Sequence, residues 1–331
     1  VTDSRILLAL DFGGTKHSAA VAEIGSREWL GLRRAKSPPG ADAHADMALM
    51  LELARDVLAD RRPAAVGVSF GGPVNAEAGI VLLSHHVPGW ENVPLRDRLR
   101  SAFDAPASVD NDANVAALGE WRFGAGQGCA SLLYVTVSTG VGGGWVLDGG
   151  IFRGADSMAG EIGHTIVRPD GPPCVCGRRG CVEAIAAGPN LARRARERLN
   201  AEPGAGLTLR EVTGGDVNAV TAVHVALAAQ AGDVLAREVL DEAAGALGLG
   251  LGNAIALMNP QRIVLGGGVT KSGERYWQIV RETARANTLP GMTVDIAPAA
   301  LGDDAPLWGA IALAEKLIVK SHDALPGRHD H

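Results

Sequence analysis

His164, Cys174, Cys176 and Cys181 stand close together in GEIGHTIVRPDGPPCVCGRRGCVE, separated by glycine- and proline-containing turns. Three thiolates and an imidazole form a tetrahedral ligand set for Zn2+, and short turns let all four reach one ion. A disulfide framework fits less well, because three neighbouring cysteines leave one unpaired and a cytoplasmic setting keeps thiols reduced. Structural zinc is therefore expected. With one ring nitrogen of His164 on the metal, the other is fixed in direction and can reach a substrate hydroxyl. Glu161 and Glu183 flank the cluster, each either an acceptor for substrate hydroxyls or a solvated surface charge. Cys129 stands apart before an apolar run and is expected to be plain core.

A second chemistry lies in the glycine turns. LALDFGGTK puts Asp11 at the end of an apolar run and Gly13 and Gly14 in the turn after it. Backbone N–H groups can approach anionic oxygens there without a Cβ in the way. Thr15 adds a hydroxyl donor and Lys16 closes the turn. An unpaired Asp11 would repel a phosphate, so a bridging Mg2+ is the consistent arrangement. The spacing is neither GxxxxGK[ST] nor G-x-G-x-x-G after the first strand. A second turn, Ser138-Thr139-Gly140-Val141-Gly142-Gly143-Gly144, repeats the plan, and Leu265-Gly266-Gly267-Gly268 offers flat backbone to an adenine or ribose. Three such turns in one chain point to a nucleotide. Asp112 lies where a strand ending at Asp110 gives way to a helix from about Ala113. The helix N-terminus would hold its carboxylate ionised, as suits a group that accepts a hydroxyl proton in phosphoryl transfer. An ordinary N-cap is the competing reading.

The elements that must position these groups alternate as in an α/β protein. Residues 5–24 read strand, glycine turn, strand, followed by a charged strand around 29–34. A helix over 43–60 has Asp42 or Asp46 near its start and Arg61-Arg62 at its end, the polarity a helix dipole favours. AAVGVSF suits a buried strand broken by Gly71-Gly72-Pro73, and a second helix falls near 94–103. Residues 131–149 repeat the plan of the start, so the chain reads as duplicated. Helices follow over 188–201, 216–230 and 233–258, then the strand RIVLGGGV and a last helix. With 331 residues two domains are expected around a cleft. The first is a small α/β domain over 1–118, joined by the C-terminal helix at about 305–320. A larger α/β domain with the metal cluster spans 119–304, and 321–331 reads as a frayed tail. Apolar residues at 47%, charged residues at 21% and a net charge of −6 describe a well-buried protein without a nucleic-acid-binding face. The stretch 243–258 is too short and glycine-interrupted to span a bilayer, and Asn259-Pro260 ends it. The first residues show no basic region or cleavage site, so a cytoplasmic protein without a membrane partner is expected.

Taken together, LALDFGGTK, DNDANVAALGEW, VSTGVGGGW, GEIGH and CVCGRRGCVE resemble the ROK family (repressors, open reading frames and sugar kinases), and within it the bacterial glucokinases. The resemblance runs from about Ile6 to Leu317, and its His-x9-Cys-x-Cys-x4-Cys spacing is its most specific part. It implies an actin-like (ribonuclease H-like) duplicated fold of two α/β domains around a central cleft. The implied reaction takes ATP with Mg2+ and a hexose, giving glucose 6-phosphate for glycolysis, with Asp112 as base toward the sugar 6-hydroxyl. Asn111, Glu161, His164 and Glu183 would hold other hydroxyls, Asn92 adds a sugar contact, and Gly72 lines the pocket. Gly13, Gly14, Thr15, Thr139 and Gly140 match the phosphate turns, with Lys16 beside them, and Gly267 matches the adenosine turn. The zinc would order the loop that carries His164 without touching phosphates. A homodimer or homotetramer is implied as well. Two departures stand out: His17 replaces an apolar residue, and GVSFGGPVN departs from the commoner GxPGPVD.

The family also contains repressors with a helix-turn-helix domain ahead of the sugar-binding part. Here the first phosphate turn begins at residue 13 and the net charge is negative, which disfavours a DNA-binding regulator. A sugar-binding protein without catalysis would not be expected to keep both Asp112 and the phosphate turns. N-acetylmannosamine kinase, or a kinase for another N-acetylhexosamine or fructose, is the nearer alternative, against which Glu161 favours glucose. Domain closure is expected to align the γ-phosphate with the hydroxyl oriented by Asp112.

Overall fold

The computed structural model describes residues 6–14, 16–84 and 87–323, so Thr15 and most of the expected tail lie outside it. Chain order opens with β1 (Ile6–Phe12), β2 (Lys16–Glu23), β3 (Gly31–Lys36), α1 (Ala43–Leu58), β4 (Ala65–Phe70), β5 (Val74–Asn75) and β6 (Ile80–Val81). Next come α2 (Leu95–Phe103), β7 (Ala107–Asn111), α3 (Asp112–Phe123), β8 (Ser131–Val137), β9 (Val141–Leu147) and β10 (Gly150–Phe152). A single 3-10 turn at Ile162–His164 precedes α4 (Val182–Ala186), α5 (Gly188–Ala201), α6 (Leu207–Glu211), α7 (Ala222–Gln230) and α8 (Val234–Met258). The chain closes through β11 (Arg262–Gly266), α9 (Glu274–Ala286), β12 (Asp295–Pro298) and α10 (Ala305–Asp323).

Two five-stranded sheets share one plan, β3-β2-β1-β4-β7 and β10-β9-β8-β11-β12. In the first, β2 is antiparallel to β1 and β3, while β4 and β7 add in parallel. In the second, β9 and β10 are antiparallel and β11 joins β8 and β12 in parallel. The α/β duplication read from the two strand–turn–strand stretches is present.

The chain divides into two compact units, Val1–Ala130 with Gly144–Ala159 and Ala300–His331, and Ser131–Gly143 with Gly160–Ala299. The first unit runs beyond the expected 118 because α3 packs along its length against α10. There Gly309 approaches so closely that a Cβ would overlap the Val115 carbonyl. Residues 144–159 stay with it through Lys316 Nζ, which donates to Gly149 O at 2.5 Å. The helix α10 also extends to Asp323, past the expected end near 320.

Within this unit β1 is buried on both faces, as a central strand of a helix-covered sheet should be. Alternation sends Leu8 and Leu10 to a core with Met50, Leu53 and Trp90, and Leu7 and Ala9 to one with Leu118, Leu307 and Ile311. Asp42 caps α1, accepting the Ala45 N–H at 2.9 Å. Asp46, one turn in, is buried instead and lies 2.8 Å from Nε2 of His17. The unusual His17 is thus matched by a buried acid, with its ring edge against Phe12. Glu120 is wholly buried at the C-terminal end of α3, accepting N–H groups from Ala125, Ala300 and Leu301 at 2.8, 3.1 and 2.8 Å.

In the second unit α8 lies among α4, α5, α7 and α9, and Asn259 ends it in the left-handed conformation. No helix among the described residues is long and apolar enough to cross a membrane. The single helix expected over 216–230 is instead a 3-10 turn at Val217–Ala219 followed by α7. Thr221 caps a fresh helix there, its Oγ1 accepting the His224 N–H at 3.3 Å. Cys129 is only half-buried, in the loop before β8, rather than core.

Candidate active site

Parallel pairing aligns the C-terminal ends of β1, β4 and β7, placing Asp11 beside Ser69 and Ser69 beside Asp110. Asn111, the next residue, is the N-cap of α3. Its Oδ1 accepts the Ala113 and Asn114 N–H groups at 3.0 and 3.4 Å. Asp112 is therefore the first helical residue and not the cap, so the competing reading falls on its neighbour. Asn111 Nδ2 donates to Gly72 O at 3.2 Å and to Asp112 Oδ1 at 3.0 Å, and the Ala113 N–H reaches the same oxygen at 2.8 Å. Gly72, Asn111 and Asp112 thus form one bonded group at the sheet edge.

Asp110 supports that group from below. It is 1% exposed; its Oδ1 takes the Asn111 N–H at 2.8 Å and Asn114 Nδ2 at 3.2 Å. Its Oδ2 receives Arg153 Nε at 2.7 Å and Nη2 at 2.5 Å. Asp11 accepts from Ser69 Oγ at 2.7 Å, and burial, aided by the charge of Asp112, pushes its carboxyl up to about 7. Two carboxylates that repel one another, one of them desolvated, suit a divalent cation that neutralises them. Gly13 and Gly14 form the turn after β1, where the Gly13 N–H meets Lys16 O at 3.1 Å, and Lys16 is exposed at the start of β2. Thr15 lies outside the described residues. Asn92 sits exposed at φ 56°, its N–H donating to Leu82 O at 3.2 Å. Ser69, Asp110 and Arg153 were not singled out from sequence.

In the second unit Thr139 and Gly140 occupy the turn between β8 and β9. Thr139, Thr221, Val223, Leu227, Val269 and Lys271 line a cavity of about 520 Å³ beside it. Apolar walls with a few hydroxyls and one ammonium suit a nucleobase and ribose. Gly267, at φ 92°, begins the turn after β11 on the same side, directly before the lining residue Gly268. The walls contributed by α7 carry no motif, and sequence reasoning missed them.

The four candidate metal donors do converge: one ligand atom from each of His164, Cys174, Cys176 and Cys181 lies within 4.8 Å of every other. Cys176 and Cys181 Sγ are 3.7 Å apart, and Cys174 Sγ is 3.6 Å from His164 Nδ1. Those spacings are close to the edges of a tetrahedron with metal–sulfur bonds of about 2.3 Å. Hydrogen bonds from Arg178 lower the Cys176 thiol to about 6, so it is largely thiolate at neutral pH. Since Nδ1 of His164 faces the cluster, Nε2 points away, 4.0 Å from Glu161 Oε2. Glu183, on α4, accepts the Val141 N–H at 3.0 Å through Oε2.

Residues 7–317 match the ROK family, and the chain belongs to it. Its relatives include the glucokinase of Halalkalibacterium halodurans, 40% identical over 74% of each chain. The N-acetylmannosamine kinase of Escherichia coli is 33% identical over 94% of this chain and 99% of its own. A ROK family glucokinase from Streptomyces griseus, solved with glucose and AMPPNP, superposes with a TM-score of 0.79 at 33% identity. That alignment covers 94% of this chain and 99% of the other. The fold is the actin-like ATPase fold of ROK sugar kinases, with two domains.

Proposed function

We propose that the chain phosphorylates a hexose, converting glucose to glucose 6-phosphate with ATP as donor. The observation that carries this is the Asn111–Asp112 pair at the start of α3, a carboxylate fixed by two donors on one oxygen and tied to Gly72. Asp112 accepts the proton of the attacking sugar hydroxyl, and its fixed position matters more than its basicity. Asn111, Gly72, Asn92, Glu161, His164 and Glu183 hold the remaining hydroxyls, with Nε2 of His164 free of the metal cluster for that role. Gly13, Gly14, Thr15, Lys16, Thr139 and Gly140 receive the phosphates, and Gly267 with the adjoining cavity receives the adenosine. Asp11 holds Mg2+, which when bound neutralises charge on the nucleotide phosphates. His164, Cys174, Cys176 and Cys181 hold one structural Zn2+ that fixes the His164 loop. By the same family resemblance the enzyme is cytoplasmic, serves glycolysis and forms a homodimer or homotetramer, which light scattering would read.

N-acetylmannosamine phosphorylation is the second reading, favoured by relatives of that name at full length. An ADP-release assay with Mg-ATP over glucose, mannose, fructose, N-acetylglucosamine and N-acetylmannosamine separates the two. Glucose is expected to give the highest kcat/KM. Preference for an N-acetylated sugar would select the second reading, and absence of turnover with every sugar would refute both.

A further inference from the structure

Glu183, assigned above to a sugar hydroxyl, is bonded to the Ser138–Val141 turn assigned above to the phosphates. It sits on α4, a helix of one turn anchored at its start and followed directly by α5. At its start Cys181, a metal-cluster residue, is the N-cap, and the Val182 N–H donates to Thr165 O at 3.0 Å, one residue beyond His164. Two residues beyond its end Gly188, the first residue of α5, donates its N–H to Ser138 O at 2.8 Å. Between these anchors Glu183 Oε2 takes the Val141 N–H at 3.0 Å, and a Cβ at Gly140 would stand 2.7 Å from the same oxygen. The turn from Ser138 to Val141 is thus held at its first carbonyl by the start of α5 and at its last N–H by Glu183 of α4. Gly163 packs so closely on Val141 that a Cβ would overlap its carbonyl, so the His164 turn also bears on that residue.

We propose that Glu183 is a positioning residue for the nucleotide. Its carboxylate sets the Ser138–Val141 turn in the conformation that receives phosphate, independently of any sugar. This rests on the reading of that turn as the donor site. A carboxylate accepting a backbone N–H is a charge-assisted bond, stronger than its neutral counterpart. One oxygen is committed to the turn, which leaves the other to accept from a sugar hydroxyl, so the same side chain ties acceptor binding to donor geometry.

The test is the affinity for Mg-AMPPNP measured by calorimetry without sugar, in the wild type, Glu183→Ala and Glu183→Gln. The amide oxygen of glutamine can still accept the Val141 N–H, whereas alanine cannot. Glu183→Ala is expected to weaken nucleotide binding by about tenfold. Glu183→Gln is expected to stay within about twofold of wild type for nucleotide while raising the sugar KM. Wild-type nucleotide affinity in Glu183→Ala, or equal losses in both variants, overturns the proposal. Failure of the wild type to bind nucleotide would instead overturn the donor-site reading beneath it. If Glu183→Ala does not fold, hydrogen exchange on the sugar-free wild type decides: protection of the Val141 amide is expected, and unprotected exchange refutes the bond.

Discussion

Replacing Arg153 with methionine probes the support beneath the Asn111–Asp112 pair. The substitution keeps an unbranched apolar stem but removes both donors from Asp110 Oδ2, while Oδ1 keeps the Asn111 N–H and Asn114 Nδ2. A carboxylate 1% exposed is then left with one oxygen bare. Breaking a fully buried pair costs about 3–5 kcal/mol. The Arg153 side chain is 35% exposed, so water reaches part of the gap and about 2 kcal/mol is the expected loss. For a unit of this size that lowers Tm by roughly 6 °C. Because Asp110 holds the backbone of Asn111, kcat should also fall, by about tenfold. Asp110→Asn in the same background removes the stranded charge, so the double variant should recover much of the stability lost by Arg153→Met. Calorimetric melting of all four proteins yields the coupling directly, and a value below about 0.5 kcal/mol would refute the argument.

Metal analysis of the purified protein should find about one zinc per chain, and Cys176→Ala should lose it and weaken sugar binding; a wild type without zinc contradicts the assignment. Burial raises Asp11 from 3.8 to about 7, so its stabilising contribution is complete below 3.8 and lost as pH rises to about 7. Urea unfolding of the wild type minus Asp11→Asn should therefore show a stability difference that declines across that window, and a flat difference would refute it. Glu120→Gln places an amide donor against some of the N–H groups of Ala125, Ala300 and Leu301 and should cost about 2 kcal/mol in thermal melting.

The convergence of His164, Cys174, Cys176 and Cys181 was legible because all four lie in one short stretch, where spacing alone limits what they can reach. The Asn111–Asp112 junction was legible because an apolar strand ends where a helix pattern begins, although which residue caps the helix needed coordinates. Arg153 and Asp110 were not, since their pairing depends on how 144–159 returns to the first unit, and nothing local to either residue encodes that. Glu183 could be recognised as a carboxylate near the cluster, but its bond to Val141 follows from the placement of α4. The split at Thr221 shows local capping chemistry interrupting an otherwise continuous helical pattern. The last strand, β12, covers only Asp295–Pro298 and is too short to carry a periodic signal.

The central claim is that Asp112 acts as base in phosphoryl transfer to a sugar. Initial rates with glucose and Mg-ATP, measured beside glucose binding for the wild type and Asp112→Asn, test it most directly. The account predicts a fall in kcat of about a thousandfold with glucose binding retained. Turnover of Asp112→Asn within about tenfold of wild type would contradict it.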